Sequence, residues 1–437
     1  IGSNHTVKLR EAKKESEKFD IDEEVKWLST VLPNIPVEVV KGLIHIAGKN
    51  AWGAFTNASI TLSNVAAEGT AYHEAFHAVF SLGLNGNERA NLMKEASEES
   101  KLTDPVELEE WLAERFREYV INQKSKTVGQ KIKEFFKKLW NLIRGVQEAE
   151  PMRYSIYKKI MSSKYKNMRV GTAKEASVRL RPEEYTPEML DILSTAKYDK
   201  DGNILAPNGK PSNLNERQWV HVRTKAFKEW FGDWENNPSE ASKVVDENGE
   251  PKIMYHNTPF DFNGVFDMDH PSRTMPWTSE PFGHVGSKET ADTIKGTQYG
   301  LFINLKNPLR TSDYVHESTS SMLNELYKQG IISRDKYSTL RGLSNSELRK
   351  LMQELGYDGT VYKNEVEKGG DSYSFINPNQ IRSATDNIGT YSKENNDIRL
   401  RETNEDNALF LENGYSENWI RNATEEEKEV AKYCIGI

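Results

Sequence analysis

His73, Glu74 and His77 have the residue types and spacing that do chemistry, in the run Thr70-Ala71-Tyr72-His73-Glu74-Ala75-Phe76-His77-Ala78-Val79-Phe80. On a helix, positions i and i+4 share a face, so the two imidazoles can direct ring nitrogens at one metal ion. Glu74 then stands beside the ion's open position, as a base for a water whose pKa zinc lowers to about 7. With nine histidines in 437 residues, a chance H-E-x-x-H is expected in only about one chain in a hundred. Ala71, Tyr72, Ala75, Phe76, Ala78, Val79, Phe80 and Leu82 make the segment apolar nearly all round, as befits a helix buried in a core. The chemistry that follows is metal-assisted hydrolysis.

Two histidines leave such an ion short of a ligand. No H-x-x-G-x-x-H continuation follows His77; Ser81-Leu82-Gly83-Leu84-Asn85-Gly86 breaks the helix instead. The best source of a third ligand is the helix predicted over 107–120, with Leu108, Trp111, Leu112, Phe116 and Tyr119 inward. Small Ala113, three residues after Glu110, lets that helix approach closely, and Glu114 is one turn further on, placed to orient a ligating histidine. Glu109 and Glu110 both remain candidates from the residues alone.

The elements that position these groups follow from the rest of the sequence. A chain of 437 residues exceeds a typical single domain, so two or three are expected. A net charge of −8 with 28% charged residues argues against a general affinity for nucleic acid. No apolar run approaches the roughly 18 residues that span a membrane, and the charged stretch 8–22 is not a signal peptide. Cys434 is the only cysteine, which excludes an intrachain disulfide and makes a cytosolic site of action the default. Ile1 in place of Met suggests a piece of a longer polypeptide.

Residues 1–20 read as a polar tail, 21–168 as a first domain, 169–214 as a semi-ordered linker, 215–400 as a second domain, and 401–437 as a tail with a short helix at 424–433. In the first domain, Ile21, Val25, Leu28 and Val31 predict a helix ended by Pro33 and Pro36, and a second helix is expected over 37–47. Residues 51–63 read as a hairpin around Asn57, whose strand could pair with an extended peptide substrate. The stretch 131–144 reads as a basic amphipathic helix. In the second domain one helix is expected over 216–234. Short strands follow near 253–256, 260–262, 265–266, 283–287, 301–305, 360–362 and 372–376, with helices at 321–330 and 344–355. That pattern predicts an α+β domain on an irregular antiparallel sheet.

Tyr72 to Phe80 followed by Glu109-Glu110-Trp111-Leu112-Ala113-Glu114-Arg115-Phe116 resembles the gluzincin-type metallopeptidase domain of phage and mobile-element polyvalent proteins, over roughly residues 20–165. The resemblance implies a zincin-like fold with His73, His77 and a Glu as zinc ligands and Glu74 as general base. Its E-x-x-A-x-x-F spacing favours Glu110.

Residues 242–251, Tyr255-His256-Asn257-Thr258, residues 304–309, Gly356-Tyr357-Asp358-Gly359 and residues 377–384 are similar to the ADP-ribosyltransferase-like domain of the same proteins, over roughly 215–400. This implies a split β-core holding NAD+ extended in a crevice. His256 is the histidine that bonds the adenosine-side ribose, and Tyr255, Thr258, His284 and Ser287 are the other cofactor contacts. Glu367, with Glu365 as the alternative, is the carboxylate that steadies the oxocarbenium-like transition state. The usual Y-H-G-T has Asn257 in place of its glycine. The middle motif, Gly283-His284-Val285-Gly286-Ser287, lacks the aromatic that stacks on nicotinamide, a role open to Tyr299 or Phe282.

The expectation is a two-module effector with Zn2+ and NAD+ as its cofactors. It would be packaged in the virion or act in the bacterial host cytoplasm on a peptide or protein substrate and a host protein or nucleic-acid acceptor. The competing class is a virion cargo or assembly protein whose enzyme folds no longer catalyse.

Overall fold

The computed structural model describes residues 8–11, 21–40, 44–46, 49–56, 59–64, 66–125, 151–168, 184–259, 264–270, 274–275, 278–313, 315, 318–365, 370–385, 387 and 396–399. The chain mixes helix and sheet throughout and divides into two compact units. The first is Ile1–Ile204 with Leu214–Val220, and the second Leu205–Asn213 with His221–Ile437.

The first unit begins with β1 (Lys8–Glu11), so the stretch expected as a tail contributes a strand. Then come α1 (Asp22–Val31), β2 (Val37–Val40), β3 (Ile44–Ile46), β4 (Lys49–Thr56) and β5 (Ser59–Ser63). The helix expected over 37–47 is replaced by β2 and β3. Its Val-Glu-Val-Val and Ile-His-Ile runs are β-branched, and they pair with the hairpin that the sequence does predict at 51–63. The strand order is β1-β4-β5-β2, with β3 also on β4; β2 and β5 are parallel and the other pairs antiparallel.

α2 (Thr70–Ala78) packs on this sheet with every residue buried. It opens into a π-helical turn at Val79–Gly83 and is followed by α3 (Gly86–Ser100), whose start Asn85 and Glu88 close as a capping box. α4 (Pro105–Ser125) crosses α2, and α5 (Met152–Met161) completes the layer. Phe76, Phe116 and Tyr157 meet at its centre, with Phe116 and Tyr157 centroids 5.1 Å apart. Burying each such ring contributes about 1.5–3 kcal/mol, and the Tyr157 hydroxyl donates to the Leu112 carbonyl at 3.1 Å, which fixes α5 against α4.

The stretch expected as a linker is folded from residue 184 onward. Thr186 caps α6 (Pro187–Ser194), which docks on α3 through Asn87 Nδ2 to the Ser194 carbonyl and a Lys94–Asp191 ion pair. Arg89, almost fully buried, donates to the Tyr185 hydroxyl at 3.1 Å and pairs with Glu216. Residues 205–213 instead belong to the second unit, where Ser212 donates to buried Glu250 and Asn213 to Asp246. Polar turn chemistry reads like a linker, but here it closes hairpins whose flanking apolar residues are buried.

The single helix expected at 216–234 is two, α7 (Glu216–His221) and α8 (Lys225–Phe231). Thr224 breaks the run by accepting the Phe227 N–H as the N-cap of α8. The second unit then builds two sheets. One is β6 (Met254–Thr258), β8 (Thr297–Ile303) and β12 (Ile381–Ser383), with β8 central. The other runs β9 (Pro308–Thr311), β10 (Gly359–Asn364), β11 (Gly370–Phe375), β7 (Gly283–Val285). β9 and β10 are parallel, a departure from the expected antiparallel sheet. α9 (Lys288–Ala291) follows β7, and α10 (Thr319–Lys328) and α11 (Asn345–Glu354) lie between β9 and β10 in the chain, as a parallel crossover requires.

Met254, Val285, Leu301, Ile303, Val361 and Phe375 belong to one core cluster drawn from both sheets, and Phe282 belongs to a second with Leu323, Leu348 and Met352 from α10 and α11. The strands expected near 260–262 and the helices expected at 131–144 and 424–433 lie outside the described residues.

Candidate active sites

In the first unit, α2 supplies His73, Glu74 and His77, and α4 supplies Glu109, Glu110 and Glu114. The N-terminus of α2 has no cap of its own. Gly69 stands there with φ +84°, and a Cβ on it would come within 2.4 Å of Arg117 Cγ. Glu24 of α1 supplies the cap instead, accepting the Gly69 N–H at 2.6 Å and the Ala71 N–H at 3.0 Å. A carboxylate at a helix N-terminus also suits the helix dipole, although burial raises the Glu24 pKa against these hydrogen bonds.

At the centre, His73 Nε2 and His77 Nε2 are 3.2 Å apart, Glu110 Oε2 is 3.2 Å from His73 Nε2, and Glu110 Oε1 is 3.4 Å from His77 Nε2. Three donor atoms around a tetrahedral zinc with bonds of about 2.0–2.1 Å would be separated by about 3.3 Å. The donor set, two imidazoles and a carboxylate, is also one that zinc takes in hydrolytic sites. The residues present therefore fit the ion.

The outer contacts aim these donors. Glu109, fully buried with His77, has Oε1 2.7 Å from His77 Nδ1. A carboxylate only accepts, so Nδ1 carries a proton, and in the neutral ring that a metal requires Nε2 presents its lone pair to the cluster. Glu114 Oε2 lies 3.5 Å from His73 Nδ1, and Arg117 holds Glu114 through an ion pair at 2.6 Å. Thus the Glu110 carboxylate lies with the two Nε2 atoms, as the E-x-x-A-x-x-F spacing favours, and Glu109 lies behind His77.

Burial alone would depress the His77 pKa, but the charge of Glu110 and hydrogen bonds to Glu109 and Glu110 outweigh it and carry the ring up to about 10. Glu110, despite its own burial, is held well below the usual carboxylate range, chiefly by the charge on His77. The pocket favours positive charge. Glu74, between the two histidines in sequence, is wholly buried.

In the second unit, the two sheets are joined in the first half of β6. Tyr255 exchanges both backbone hydrogen bonds with Gly286, at 2.8 and 3.0 Å, and His256 Nδ1 donates to the His284 carbonyl at 2.8 Å. The carbonyl fixes the tautomer, so in the neutral ring Nε2 is an acceptor able to take a hydroxyl proton. Phe266 packs edge-on against the His256 ring at 5.3 Å.

Residues 246–391 match the model of a family described as ADP-Ribosyltransferase in polyvalent proteins. The match lies wholly within the second unit. No curated protein and no solved structure matches the chain.

The departures within this ADP-ribosyltransferase-like domain have physical explanations. Asn257 in the Y-H-N-T run alternates away from the face of His256 and is buried with its amide donating to the Ile294 carbonyl at 3.0 Å. The larger side chain thus leaves His256's face unobstructed. Gly283 is required because Phe375, its cross-strand partner, lies across it; a Cβ there would be 2.1 Å from the Phe375 ring.

Of the two aromatics considered for stacking, Phe282 is fully buried among α10 and α11 and is unsuited to it. Tyr299 sits directly across from His256 in the β6–β8 register. Thr258 pairs with Thr297 at the end of β6. Ser287 accepts the Thr290 N–H as cap of a short helix, so its hydroxyl already has a structural duty. Glu365 is exposed just beyond the end of β10, its N–H bonded to Asp313. Glu367 lies outside the described residues.

Proposed function

We propose that the chain is a polyvalent effector in which a zinc-dependent peptidase is joined to an NAD+-consuming ADP-ribosyltransferase. The observation that carries the peptidase half is the meeting of His73 Nε2 and His77 Nε2, 3.2 Å apart, with the Glu110 carboxylate, whose Oε2 is 3.2 Å from His73 and Oε1 3.4 Å from His77. His73, His77 and Glu110 would hold Zn2+, which when bound supplies Lewis acidity and a more acidic water. Glu74 is the carboxylate that would accept a proton from an attacking water and pass it to the leaving amine. Glu109 keeps His77 in the tautomer that presents Nε2, and Glu114 steadies His73 from behind.

For the second half, the family match supports ADP-ribosyl transfer and the use of NAD+ in general. His256 at the seam between sheets is the residue for ribose recognition, with Tyr255, Thr258 and His284 around it, Tyr299 the aromatic for nicotinamide, and Glu367 the carboxylate beneath the developing positive charge. The acceptor is a host protein or nucleic acid, and the place of action is the bacterial cytoplasm after delivery with the virion. Incubating a host lysate with labelled NAD+ tests this half. Labelling by the parent chain that is lost in both His256→Ala and Glu367→Ala supports it, and no labelling and no NAD+ binding would remove it. Casein hydrolysis that is abolished by Glu74→Gln, with zinc retained, is the matching test of the first half.

A further inference from the structure

β4 has two edges. On one, β5 pairs with Gly53–Thr56; on the other, β1 pairs antiparallel, with Lys8 opposite Phe55, Leu9 opposite Ala54 and Arg10 opposite Gly53. A strand edge of this kind is a template on which any extended chain can add by backbone hydrogen bonds. β1 also packs against α2, the helix that carries His73, Glu74 and His77. A chain added at this edge therefore runs beside the helix that holds the candidate metal site.

The occupant is weakly built for a permanent strand. It is four residues long, Lys-Leu-Arg-Glu, with one apolar side chain. Its register slips between Arg10 and Glu11, so the ladder passes over Trp52 and resumes at Ala51. Bulged, short, charged strands are held by few bonds and are cheap to displace.

We propose that β1 occupies the strand-edge site of an extended peptide substrate and closes the peptidase until it is withdrawn, an inference that rests on the peptidase reading given above. A segment tethered in the same chain competes at an effective concentration on the order of millimolar, so a free peptide at micromolar concentration is excluded while β1 is seated.

The test compares the parent chain with one lacking residues 1–11, zinc content being measured in both. With zinc equal, the truncated chain cleaves casein about tenfold or more faster. A synthetic peptide of residues 5–14 at millimolar concentration slows it again and restores amide-exchange protection on the β1-facing edge of β4. Equal cleavage by the two chains, with that edge equally protected in both, would overturn the proposal.

Should the truncated chain lose zinc, a reducible staple decides. Leu9→Cys and Ala54→Cys are opposed in register, within disulfide reach for an antiparallel pair, and Cys434→Ser removes the native thiol. The oxidised form is expected to be inactive and the reduced form to keep the low activity that the parent shows when β1 opens; equal measurable cleavage by both contradicts the proposal. If zinc is bound but no form cleaves casein, the peptidase reading fails on its own. Amide exchange then judges the strand separately, restored protection by the peptide supporting a displaceable occupant and none refuting it.

Discussion

The two candidate sites are made in opposite ways. In the first unit the candidate chemistry sits on side chains of two crossing helices, and other side chains aim them: Glu109 on His77, and Glu114, held by Arg117, behind His73. In the second it sits at a seam where backbone does most of the holding: Tyr255 pairs with Gly286, and the His284 carbonyl fixes His256. A site made of side chains at helical spacing can be read from residue types alone. A site made of strand seams depends on register, which residue types constrain weakly.

Substitutions separate the two kinds of site. Glu74→Gln is expected to lower peptide hydrolysis about 10²–10⁴-fold with zinc still bound, measured by casein cleavage beside metal content. If the activity falls only together with zinc, Glu74 is structural. Glu109→Gln, which keeps its shape but weakens the hold on His77 Nδ1, should reduce zinc affinity about 10–100-fold; titration with a competing chelator reads it.

In the second unit, His256→Ala removes one hydroxyl contact and is expected to weaken NAD+ binding about tenfold, about 1.4 kcal/mol, by calorimetry, with zinc untouched. An equal effect of either variant on both ligands would undo the division between the sites. Glu24→Ala should cost about 2 kcal/mol of stability by leaving the Gly69 and Ala71 N–H groups without their cap, a loss that denaturant unfolding measures.

Legibility in the sequence follows the same contrast. The pair His73 and His77, the hairpin before them and the helix bearing Glu110 are recoverable because a helix repeats on a fixed angle and a hairpin announces its turn. The choice between Glu109 and Glu110 is open from residue types and only favoured towards Glu110 by the E-x-x-A-x-x-F spacing, since adjacent residues on α4 differ in which side of His77 they meet, Nε2 or Nδ1. β2 and β3 read as helix because Val37–Ala47 is apolar enough for either, and only pairing with β5 and β4 decides. The folded stretch from 184 to 213 reads as a linker because its turns are polar, while the anchoring comes from distant Arg89 and Glu250. In the second unit the strands are visible singly, but the parallel β9–β10 pair and the seam at Gly286 are long-range facts.

The central claim is that His73, His77 and Glu110 share one cation. Elemental analysis of the purified, zinc-equilibrated chain tests it most directly. One zinc per chain, lost in His73→Ala and in His77→Ala while the far-ultraviolet circular dichroism of the parent is kept, is the predicted result. No bound zinc in the parent, or zinc retained at full stoichiometry in both variants, would contradict it.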